Sequence, residues 1–586
     1  MKRLSTFYNR TLAEVCFAAI LGDPQGSLYP GLLDDEPPTP RLHDNKETHL
    51  PTEPTTFREA VTGPDREKWL AAIRAELRAM ISKGVFRYHL LKNIPKNRRL
   101  IGARWVFKIK NDGRYRARLV AKGYTQVPGV DHQEFFSPVV LDVGLRTLFI
   151  IYMLNKQYVA LGLDVETAFL YADLEEEIYV RLPEGINLPE GHCLLLQKSI
   201  YGLVQASRQW WKKFVKFLTA ELNFNQSAAD PCILWRETRE GICYVPVYID
   251  DSMLIGDPQA CEKAVAEISA RFSVRVDRKA REFIGCEFVR CPEKKRLWVS
   301  QKKLISTLRE LYPEGLKSTE VPAAPSQVLL TPKEGEQVLN EEDHAHYRKV
   351  VGKLLYLEKS RPDISNAVRE LSKHVDQPTG VHAKAAKKVV AYVISTQNHS
   401  YKIEPDGSAG LVIEAYCDSD FSGDSDTRKS VTGYAIVLCG VAVAWKSKGQ
   451  RLVTLSSTEA EHVAITEVCQ EVLFLRNLLI SLKLDPIGPI PVFVDNIGAI
   501  FIATNYSAKG RTKHIDLRFH FVRQLVSEEV VTVKFVRSAD NVADIFTKNT
   551  SAATFCRHRG HFVDDYTTNV LTIREGAEKE IFGTAS

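Results

Sequence analysis

The chain has 586 residues, of which 44% are hydrophobic and 26% charged. This composition excludes a mostly disordered or fibrous chain, and the length suggests roughly two to four domains. Lys and Arg number 78 against 72 Asp and Glu, and the resulting net charge of +6 indicates no class of partner by itself. No apolar run reaches the ~18–20 residues of a membrane-spanning helix, so no membrane partner is expected.

The eleven cysteines are scattered without a CxxC pair. This spacing argues against a disulfide framework and favours a reducing compartment. Cys556, His558 and His561 come closest to a metal pattern, but no second pair of ligands lies nearby in the sequence, so zinc is not expected there. No targeting signal is recognised near the N-terminus.

After a linker-like segment at 23–56 that is rich in Pro, Asp, Glu and Thr, the sequence pattern becomes helical from Phe57. A helix is predicted where apolar residues recur every four positions, at Trp69, Ile73, Leu77 and Ile81.

A strongly basic stretch follows this helix. Between Phe86 and Gln126 there are twelve Lys or Arg residues against one acid, Asp112. Strand-like apolar residues on both sides of a turn at 111–113 predict a β-hairpin. Because the charge balance is so uneven, a surface that faces nucleic-acid phosphates is favoured over an ordinary solvated hairpin.

Two adjacent aspartates, Asp250 and Asp251, lie between two apolar, β-prone runs, which predicts a hairpin with charge at its tip. Asp164 is flanked by apolar residues in another predicted strand. Neighbouring strands would bring the three acids to one edge, where divalent cations relieve their repulsion. Two Mg²⁺ ions there would activate a 3′-hydroxyl and neutralise departing pyrophosphate, as in a nucleotidyl transferase.

A second break is predicted at Pro322–Pro332, followed by helical segments at 347–394. Strands are predicted at Leu411–Tyr416, Gly433–Leu438 and Val441–Trp445, followed by a helix from about Ser457, a strand at 492–494 and another helix. Strands followed by alternating helix and strand predict a second α/β domain.

Several phrases of the sequence resemble reverse transcriptases, and in particular the Pol polyproteins of copia-type (Pseudoviridae) retrotransposons. Tyr248–Asp251 resembles the YxDD box of these enzymes. The resemblance runs from about residue 55 to 548, in the family's order, through these further phrases: Trp105–Lys110, Ala117–Tyr124, Phe136–Val139, Leu163–Leu170, Tyr201–Arg208, Leu354–Leu357, Arg361–Ile364 and Ser456–Glu461.

The resemblance implies that Asp164, Asp250 and Asp251 bind the polymerase metals. It also implies that Phe169 excludes a ribose 2′-hydroxyl and that Gln205 contacts the incoming nucleotide. An ordinary core phenylalanine remains the alternative for Phe169.

Cations of the basic stretch would neutralise the triphosphate in this interpretation, because they match the fingers of the family. The nucleotide-binding candidates among them are Lys108, Arg116 and Arg118.

The resemblance further implies an RNase H site in the C-terminal domain, with metal-binding acids at Asp418, Glu461, Asp495 and Asp544. Glu459 competes with Glu461, because residues two apart on a helix cannot share a face. The phrase Ala460–Ile465 favours Glu461. His514 matches a family motif, with a structural histidine as the alternative.

The fold class implied is a multidomain α+β and α/β protein, a right-hand polymerase followed by an RNase H-like α/β domain. The expected segments are a polyprotein remnant and linker at 1–54, fingers, palm and thumb at 55–310, a helical connection at 311–410, the RNase H-like domain at 411–548 and a tail at 549–586. Since no protease box, integrase zinc ligands or zinc knuckle is found, we expect the C-terminal portion of a polyprotein.

The function implied is RNA-directed DNA synthesis coupled to RNase H cleavage, with two Mg²⁺ per site and Mn²⁺ as an alternative. The expected partners are RNA template, DNA primer, RNA–DNA hybrid and dNTPs, with integrase and Gag of the same element as further candidates. The expected location is the cytoplasm, inside a virus-like particle, with nuclear entry as a further option. The alternative hypothesis is an inactive or domesticated remnant that binds nucleic acid without catalysis.

Overall fold

The computed structural model describes residues 53–110, 113–185, 191–291, 296–504 and 516–567. The chain forms two compact units. Unit 1 comprises the residues up to Val139, Asp164–Phe224 and Phe272–Val274, and unit 2 comprises Val140–Leu163, Asn225–Arg271 and everything from Arg275. Among the described residues, no helix combines the length and apolar character required to cross a membrane.

The α-helices of the described residues are α1 (Phe57–Thr62), α2 (Arg66–Ser82), α3 (Asp142–Leu154), α4 (Ala206–Lys216), α5 (Pro258–Ser269), α6 (Lys302–Arg309), α7 (Glu341–Leu357), α8 (Ser365–Ser372), α9 (Gly380–Ser395), α10 (Ser457–Ser481), α11 (Ile497–Thr504), α12 (Asp516–Ser527) and α13 (Ala552–Arg559).

The first twelve strands of the described residues are β1 (Phe86–Leu90), β2 (Leu100–Ile101), β3 (Ala103–Ile109), β4 (Tyr115–Ala121), β5 (Val159–Val165), β6 (Asp173–Val180), β7 (His192–Lys198), β8 (Asn225–Gln226), β9 (Ile233–Thr238), β10 (Gly241–Tyr248), β11 (Asp251–Gly256) and β12 (Val274–Asp277). The remaining strands are β13 (Glu282–Phe283), β14 (Cys286–Cys291), β15 (Arg296–Ser300), β16 (His399–Ile403), β17 (Ile413–Asp420), β18 (Val431–Leu438), β19 (Val441–Gly449), β20 (Ile490–Val494), β21 (Val531–Phe535) and β22 (Val563–Asp565).

Unit 1 is built around the apolar face of α2. Trp69, Ile73 and Leu77 are buried on that face, which confirms the helix expected from their spacing. The Trp69 ring contacts the rings of Phe107 and Tyr115 edge-on, at centroid distances of 5.2 and 4.5 Å. The same unit contains a four-stranded sheet with the order β1-β7-β6-β2.

The predicted basic hairpin is confirmed as the antiparallel pair β3–β4, in which Phe107 pairs with Ala117 and Lys108 with Arg116. Side chains alternate between the two faces of a strand. Phe107, Ala117 and Leu119 therefore enter the core, while the cationic side chains project from the opposite face.

Unit 2 contains a sheet with the strand order β12-β5-β11-β10-β9-β8. β10 and β11 form the hairpin that the apolar runs around Asp250 predict, with Tyr248 paired to Asp251. The arms of this hairpin, such as Val247 and Met253, are buried. A rigid, buried pair of strands is a suitable support for charged residues at its tip.

A second sheet of unit 2 has the order β13-β14-β15-β16-β22 and joins segments that lie far apart in the chain. β16 pairs with β15 on one side and with β22 on the other. The predicted helices of the connection are present as α7, α8 and α9, and their apolar faces form one core with Phe555 and Phe562.

The third sheet of unit 2 has the order β19-β18-β17-β20-β21. β17, β18 and β19 are antiparallel, whereas β20 and β21 run parallel to β17. This mixed sheet with the long helix α10 is the RNase H-like α/β arrangement that the sequence predicts. β17 continues four residues beyond Tyr416, because Cys417–Asp420 pair with Val431–Tyr434 of β18.

Candidate functional site

The tip of the β10–β11 hairpin carries Asp250 and Asp251, and Asp251 is the first residue of β11. Ile249 precedes them with φ of 54°. This left-handed conformation is unfavourable for a β-branched residue, and such strain is concentrated at functional turns. The buried arms of the hairpin hold the turn in place.

Asp164 is the next-to-last residue of β5, and β5 lies next to β11 in the sheet order. Thr167, shortly after Asp164, also has a left-handed backbone with φ of 54°. The assignment of Asp164, Asp250 and Asp251 as polymerase metal ligands stays a prediction.

Cations line the outward face of the β3–β4 hairpin. The Lys108 side chain is 70% exposed and lies 3.6 Å from a Glu53 carboxylate oxygen. The guanidinium carbon of Arg118 lies 3.9 Å from the ring centroid of Tyr201. Since Arg116 is paired directly with Lys108, this face presents several positive charges side by side, an arrangement that suits a polyanionic ligand.

The two remaining nucleotide-binding candidates are held inside unit 1. The half-buried ring of Phe169 contacts the ring of Tyr201 edge-on, at a centroid distance of 4.9 Å. Gln205 is fully buried. Its Nε2 donates to the Asp131 carbonyl at 2.9 Å, and its Oε1 accepts from Gln126 at 3.0 Å. Contact of Gln205 with a nucleotide therefore requires an exchange of these partners.

In the RNase H-like domain, Asp418, Glu461 and Asp495 come together. Each offers a carboxylate oxygen, and these oxygens all lie within 4.8 Å of one another. Asp418 comes from β17, Glu461 from the start of α10, and Asp495 directly follows β20. Among the described residues, this is the one acidic or His/Cys group with the spacing of metal ligands.

Glu459 does not belong to this group. Its Oε2 accepts a hydrogen bond of 2.6 Å from the Leu455 backbone N–H, and its own N–H donates to Ser456 Oγ at 3.1 Å. Glu459 is thus part of the N-terminal cap of α10. Glu461 Oε1 instead accepts from the Ser419 N–H at 3.2 Å, which ties it to β17 beside Asp418.

Asp544 lies in the short 3₁₀ helix Val542–Phe546, and its carboxylate is paired with Lys548 at 2.6 Å. The structure therefore places this fourth predicted acid near Asp418 but in an ion pair rather than in the triad. Thr547, one turn after Asp544, donates a hydrogen bond to Asp418 Oδ2.

Asn541 connects the same segment to β17. Its Nδ2 donates to the Cys417 carbonyl at 2.9 Å, while its Oδ1 accepts from the Ala543 N–H at 3.1 Å. Sequence reasoning missed Asn541, Thr547 and Lys548. Asn541, Asp544 and Thr547 are three residues apart in the sequence. This spacing could have predicted that they act together, because it places them on one side of a helical turn.

Comparison with known proteins decides the family. A family model described as reverse transcriptase (RNA-dependent DNA polymerase) matches residues 86–311. The retrovirus-related Pol polyprotein from transposon TNT 1-94 of Nicotiana tabacum is 34% identical over 510 residues, which cover 85% of this chain and 38% of that protein. The Pol polyprotein from transposon RE1 of Arabidopsis thaliana is 33% identical over 85% of this chain and 34% of that protein.

The chain belongs to the Pol polyproteins of copia-type retrotransposons. It spans about a third of the length of the curated Pol relatives that it matches. A solved foamy viral protease–reverse transcriptase in complex with double-stranded DNA is 11% identical, with a TM-score of 0.44 over 80% of this Pol chain and 69% of that one. This likeness is too distant to bear on function.

The acidic triad of this Pol chain fits a divalent cation. Burial, and then the charges of Asp418 and Asp495, raise the pKa of Glu461 to about 9. Burial also raises the pKa of Asp418 to about 6. Glu461 Oε2 is buried without a hydrogen-bond partner. Repelling carboxylates with an unsatisfied oxygen are stabilised when a cation binds between them.

His514, the histidine of the Pol motif noted in the sequence, lies outside the described residues. Its role stays open between a functional and a structural histidine.

Proposed function

We propose that the chain is an RNA-directed DNA polymerase that extends a primer with dNTPs and also hydrolyses RNA in RNA–DNA hybrids. The main support for the polymerase activity is the YIDD sequence, Tyr248–Asp251, at the tip of a buried hairpin. This hairpin lies within the segment that matches the reverse transcriptase family. The observation that supports the RNase H activity is the acidic triad that the inner strands β17 and β20 and the helix α10 bring together, in which Asp418 and Glu461 are buried.

In the polymerase, Asp164, Asp250 and Asp251 would hold divalent cations. Bound Mg²⁺ would supply charge neutralisation at the triphosphate and a lower pKa for the primer 3′-hydroxyl. The cationic face of the β3–β4 hairpin would bind phosphates of the template strand and of the incoming dNTP through charge-assisted hydrogen bonds. Arg118 is held in place for this by its stacking on Tyr201.

In the RNase H-like domain, Asp418, Glu461 and Asp495 would hold the cation, and Asp544 would join them on release from Lys548. Thr547 orients the Asp418 carboxylate by donating to its Oδ2. Asn541 keeps the Asp544 segment against β17. These neighbours restrict the acids to one arrangement, as supporting residues do in metal sites.

The proposed substrates follow from this chemistry: an RNA template with a DNA primer, dNTPs, and the RNA–DNA hybrid that results. Integrase and Gag of the same element remain proposed partners, and a cytoplasmic virus-like particle with access to the nucleus remains the proposed location. Catalysis is favoured over the alternative of a non-catalytic remnant, because all seven predicted metal-binding acids are present in the sequence.

The polymerase assignment is tested by extension of a labelled DNA primer on an RNA template with Mg²⁺ and dNTPs. We expect extension by the unaltered chain, and its loss with EDTA or with the pair of changes Asp250→Asn and Asp251→Asn. RNA cleavage by the same variant should persist, which shows that the chain is folded. Extension that persists in the variant would exclude these aspartates as the polymerase site.

A further inference from the structure

Arg146 lies on α3, a helix that packs against the sheet of the YIDD hairpin, and its side chain is only 11% exposed. Its Nη1 donates to the Val443 carbonyl of β19 at 3.1 Å, and its Nη2 donates to the Lys359 carbonyl at 3.1 Å. One guanidinium of the polymerase palm thus contacts both the RNase H-like sheet and the end of the connection helix α7. All of these residues belong to unit 2.

Both acceptors are carbonyls that regular structure leaves without a partner. Lys359 lies two residues after Leu357, the last residue of α7, and just past the C-cap Glu358, so its carbonyl takes no part in the helix hydrogen bonds. Val443 is the extra residue of a β-bulge, because Ala442 pairs with Val437 while Ala444 pairs with Ile436. β19 is also an edge strand of its sheet. Arg146 therefore recognises a specific irregularity in the RNase H-like sheet.

The guanidinium is also stacked. Its central carbon lies 3.6 Å from the ring centroid of Trp445, two residues after Val443 on β19. Tyr401 of β16 donates its hydroxyl to the Ala442 carbonyl, so the bulge is held from a second side. A planar guanidinium can stack and donate in two directions at once, whereas a lysine ammonium cannot.

A second contact between the palm and the RNase H-like domain lies at the far end of α10. Trp235 of β9 donates its Nε1–H to the Ser481 carbonyl at 3.0 Å, and Ser227 Oγ lies 2.6 Å from Ser481 Oγ. Ser481 is the last residue of α10, and Glu461 lies near its first turn. Because a helix rises ~1.5 Å per residue, α10 spans about 30 Å between Ser481 and Glu461 of the acidic triad.

We propose that Arg146 is a positioning residue that fixes the RNase H site relative to the primer terminus, so that RNA is cut at a set distance behind the growing DNA end. The inference rests on the proposed function. Besides the Ser481 contact, α3 packs along β19 and against α10, and Arg146 contributes directional hydrogen bonds to this packing. Its loss would loosen the placement of the RNase H-like domain while each active site stays intact.

The test uses full-length protein and an end-labelled RNA annealed to a shorter DNA primer, with Mg²⁺ and without dNTPs. The position of each RNA cut is measured from the primer 3′ end. We expect the unaltered chain to cut mainly at one position. Arg146→Ala should roughly halve the share of cuts there and spread them over neighbouring positions. Arg146→Lys should restore the pattern only in part.

Arg236→Ala is the matched control, because Arg236 pairs with Glu267 at 2.6 Å entirely within the palm. Its cut pattern should match that of the unaltered chain. Primer extension on a DNA template, and cleavage of a long hybrid without a recessed end, should change little in Arg146→Ala. If Arg146→Ala does not fold, Trp445→Leu removes the stacking partner and is expected to spread the cuts as well.

An unchanged cut pattern in folded Arg146→Ala, or in Trp445→Leu in its place, overturns the proposal. Equal spreading in Arg236→Ala overturns it too, since the effect would then be one of general destabilisation. Absence of both extension and cutting by the unaltered chain is a different result, because it contradicts the proposed function itself.

Discussion

Glu459 and Glu461 show how two glutamates separated by one residue on the same helix take different roles. Glu459 caps the N-terminus of α10, and Glu461 points at Asp418 and Asp495. The backbone hydrogen bond from Ser419 adds a second constraint on Glu461. Both residues are glutamates, so their different roles follow from the directions in which their side chains point.

Glu461→Gln should abolish RNA cleavage and leave primer extension intact, because the change removes one charge from the triad and little volume. Glu459→Gln should retain cleavage and lower the free energy of unfolding by about 1 kcal/mol or less, the usual scale for a weakened helix cap. Cleavage rates and thermal melting of both variants measure this. Normal cleavage by Glu461→Gln would transfer the assignment to Glu459.

The raised pKa of Glu461 predicts how stability depends on pH in the absence of metal. Its pKa rises from an ordinary value of 4.5 to about 9, so between these values the folded chain binds more protons than the unfolded chain. The free energy of unfolding therefore falls as pH rises. Melting temperatures of EDTA-treated protein should decrease from roughly pH 5 to roughly pH 9.

Two comparisons isolate the source of this effect. In Glu461→Gln the melting temperature should fall less with rising pH, since the amide does not titrate. In Glu459→Gln the melting temperature should fall as it does in the unaltered chain. Mg²⁺ should raise the melting temperature most at high pH, where the ionised carboxylates bind it. A melting temperature that rises through this pH range without metal would refute the account of the triad.

Residue roles were only partly predictable from the sequence. The resemblance to the copia-type family implied Asp418, Glu461, Asp495 and Asp544, and the structure brings the first three together. The ion pair of Asp544 with Lys548 and the burial of Gln205 were not predicted. Both depend on tertiary neighbours that no local pattern specifies.

At the scale of elements, the β3–β4 hairpin separates its two functions by strand alternation. One face packs on α2, and the other carries cations. Changes on the cationic face should therefore affect binding without loss of stability.

The double variant Lys108→Gln, Arg116→Gln should weaken binding to a primer–template and flatten its dependence on salt. Each lost phosphate contact should reduce the slope of log K against log salt by about 0.9 on duplex DNA. Arg66→Gln on α2 is the control, because Arg66 is 61% exposed and lies outside this face. Equal losses in both variants, measured by fluorescence anisotropy, would exclude the hairpin as the phosphate-binding surface.

The segment that follows the RNase H-like domain contributes a strand and buried apolar side chains to the fold. β22 completes a sheet with β16, and Phe562 beside it is 1% exposed and contacts Phe546. Phe562→Ala should destabilise unit 2 by about 3–5 kcal/mol, the usual cost of a large buried truncation. Leu455→Ala, at a position 77% exposed, should change the unfolding free energy little. Chemical denaturation compares them, and a similar small effect of both changes would contradict the packing described.

The positions of helices and strands were more predictable from the sequence than the strands with which they pair. Periodicity predicted α2, the helices of the connection and the β10–β11 hairpin, because each depends on local pattern. The pairing of β16 with β15 and β22 was not predicted, since it joins segments more than a hundred residues apart. The extension of β17 through Asp418 was missed because its polar residues break the apolar alternation.

At the scale of the whole molecule, we propose that one chain carries two metal-dependent activities on nucleic acid. The YIDD hairpin and the acidic triad lie on separate sheets of unit 2. Each can therefore be inactivated without the other. The similarity to the Pol polyprotein from transposon TNT 1-94 covers 85% of the chain, and the reverse transcriptase family model matches residues 86–311.

The most direct measurement uses an RNA template labelled at its 5′ end, a DNA primer with a second label, Mg²⁺ and four dNTPs, with both strands resolved on one gel. If the chain has both activities, we expect the primer to lengthen while the template shortens, and we expect EDTA to stop both reactions. Stable binding to the primer–template with neither product, in Mg²⁺ and in Mn²⁺, would contradict the account and favour a remnant that binds without catalysis.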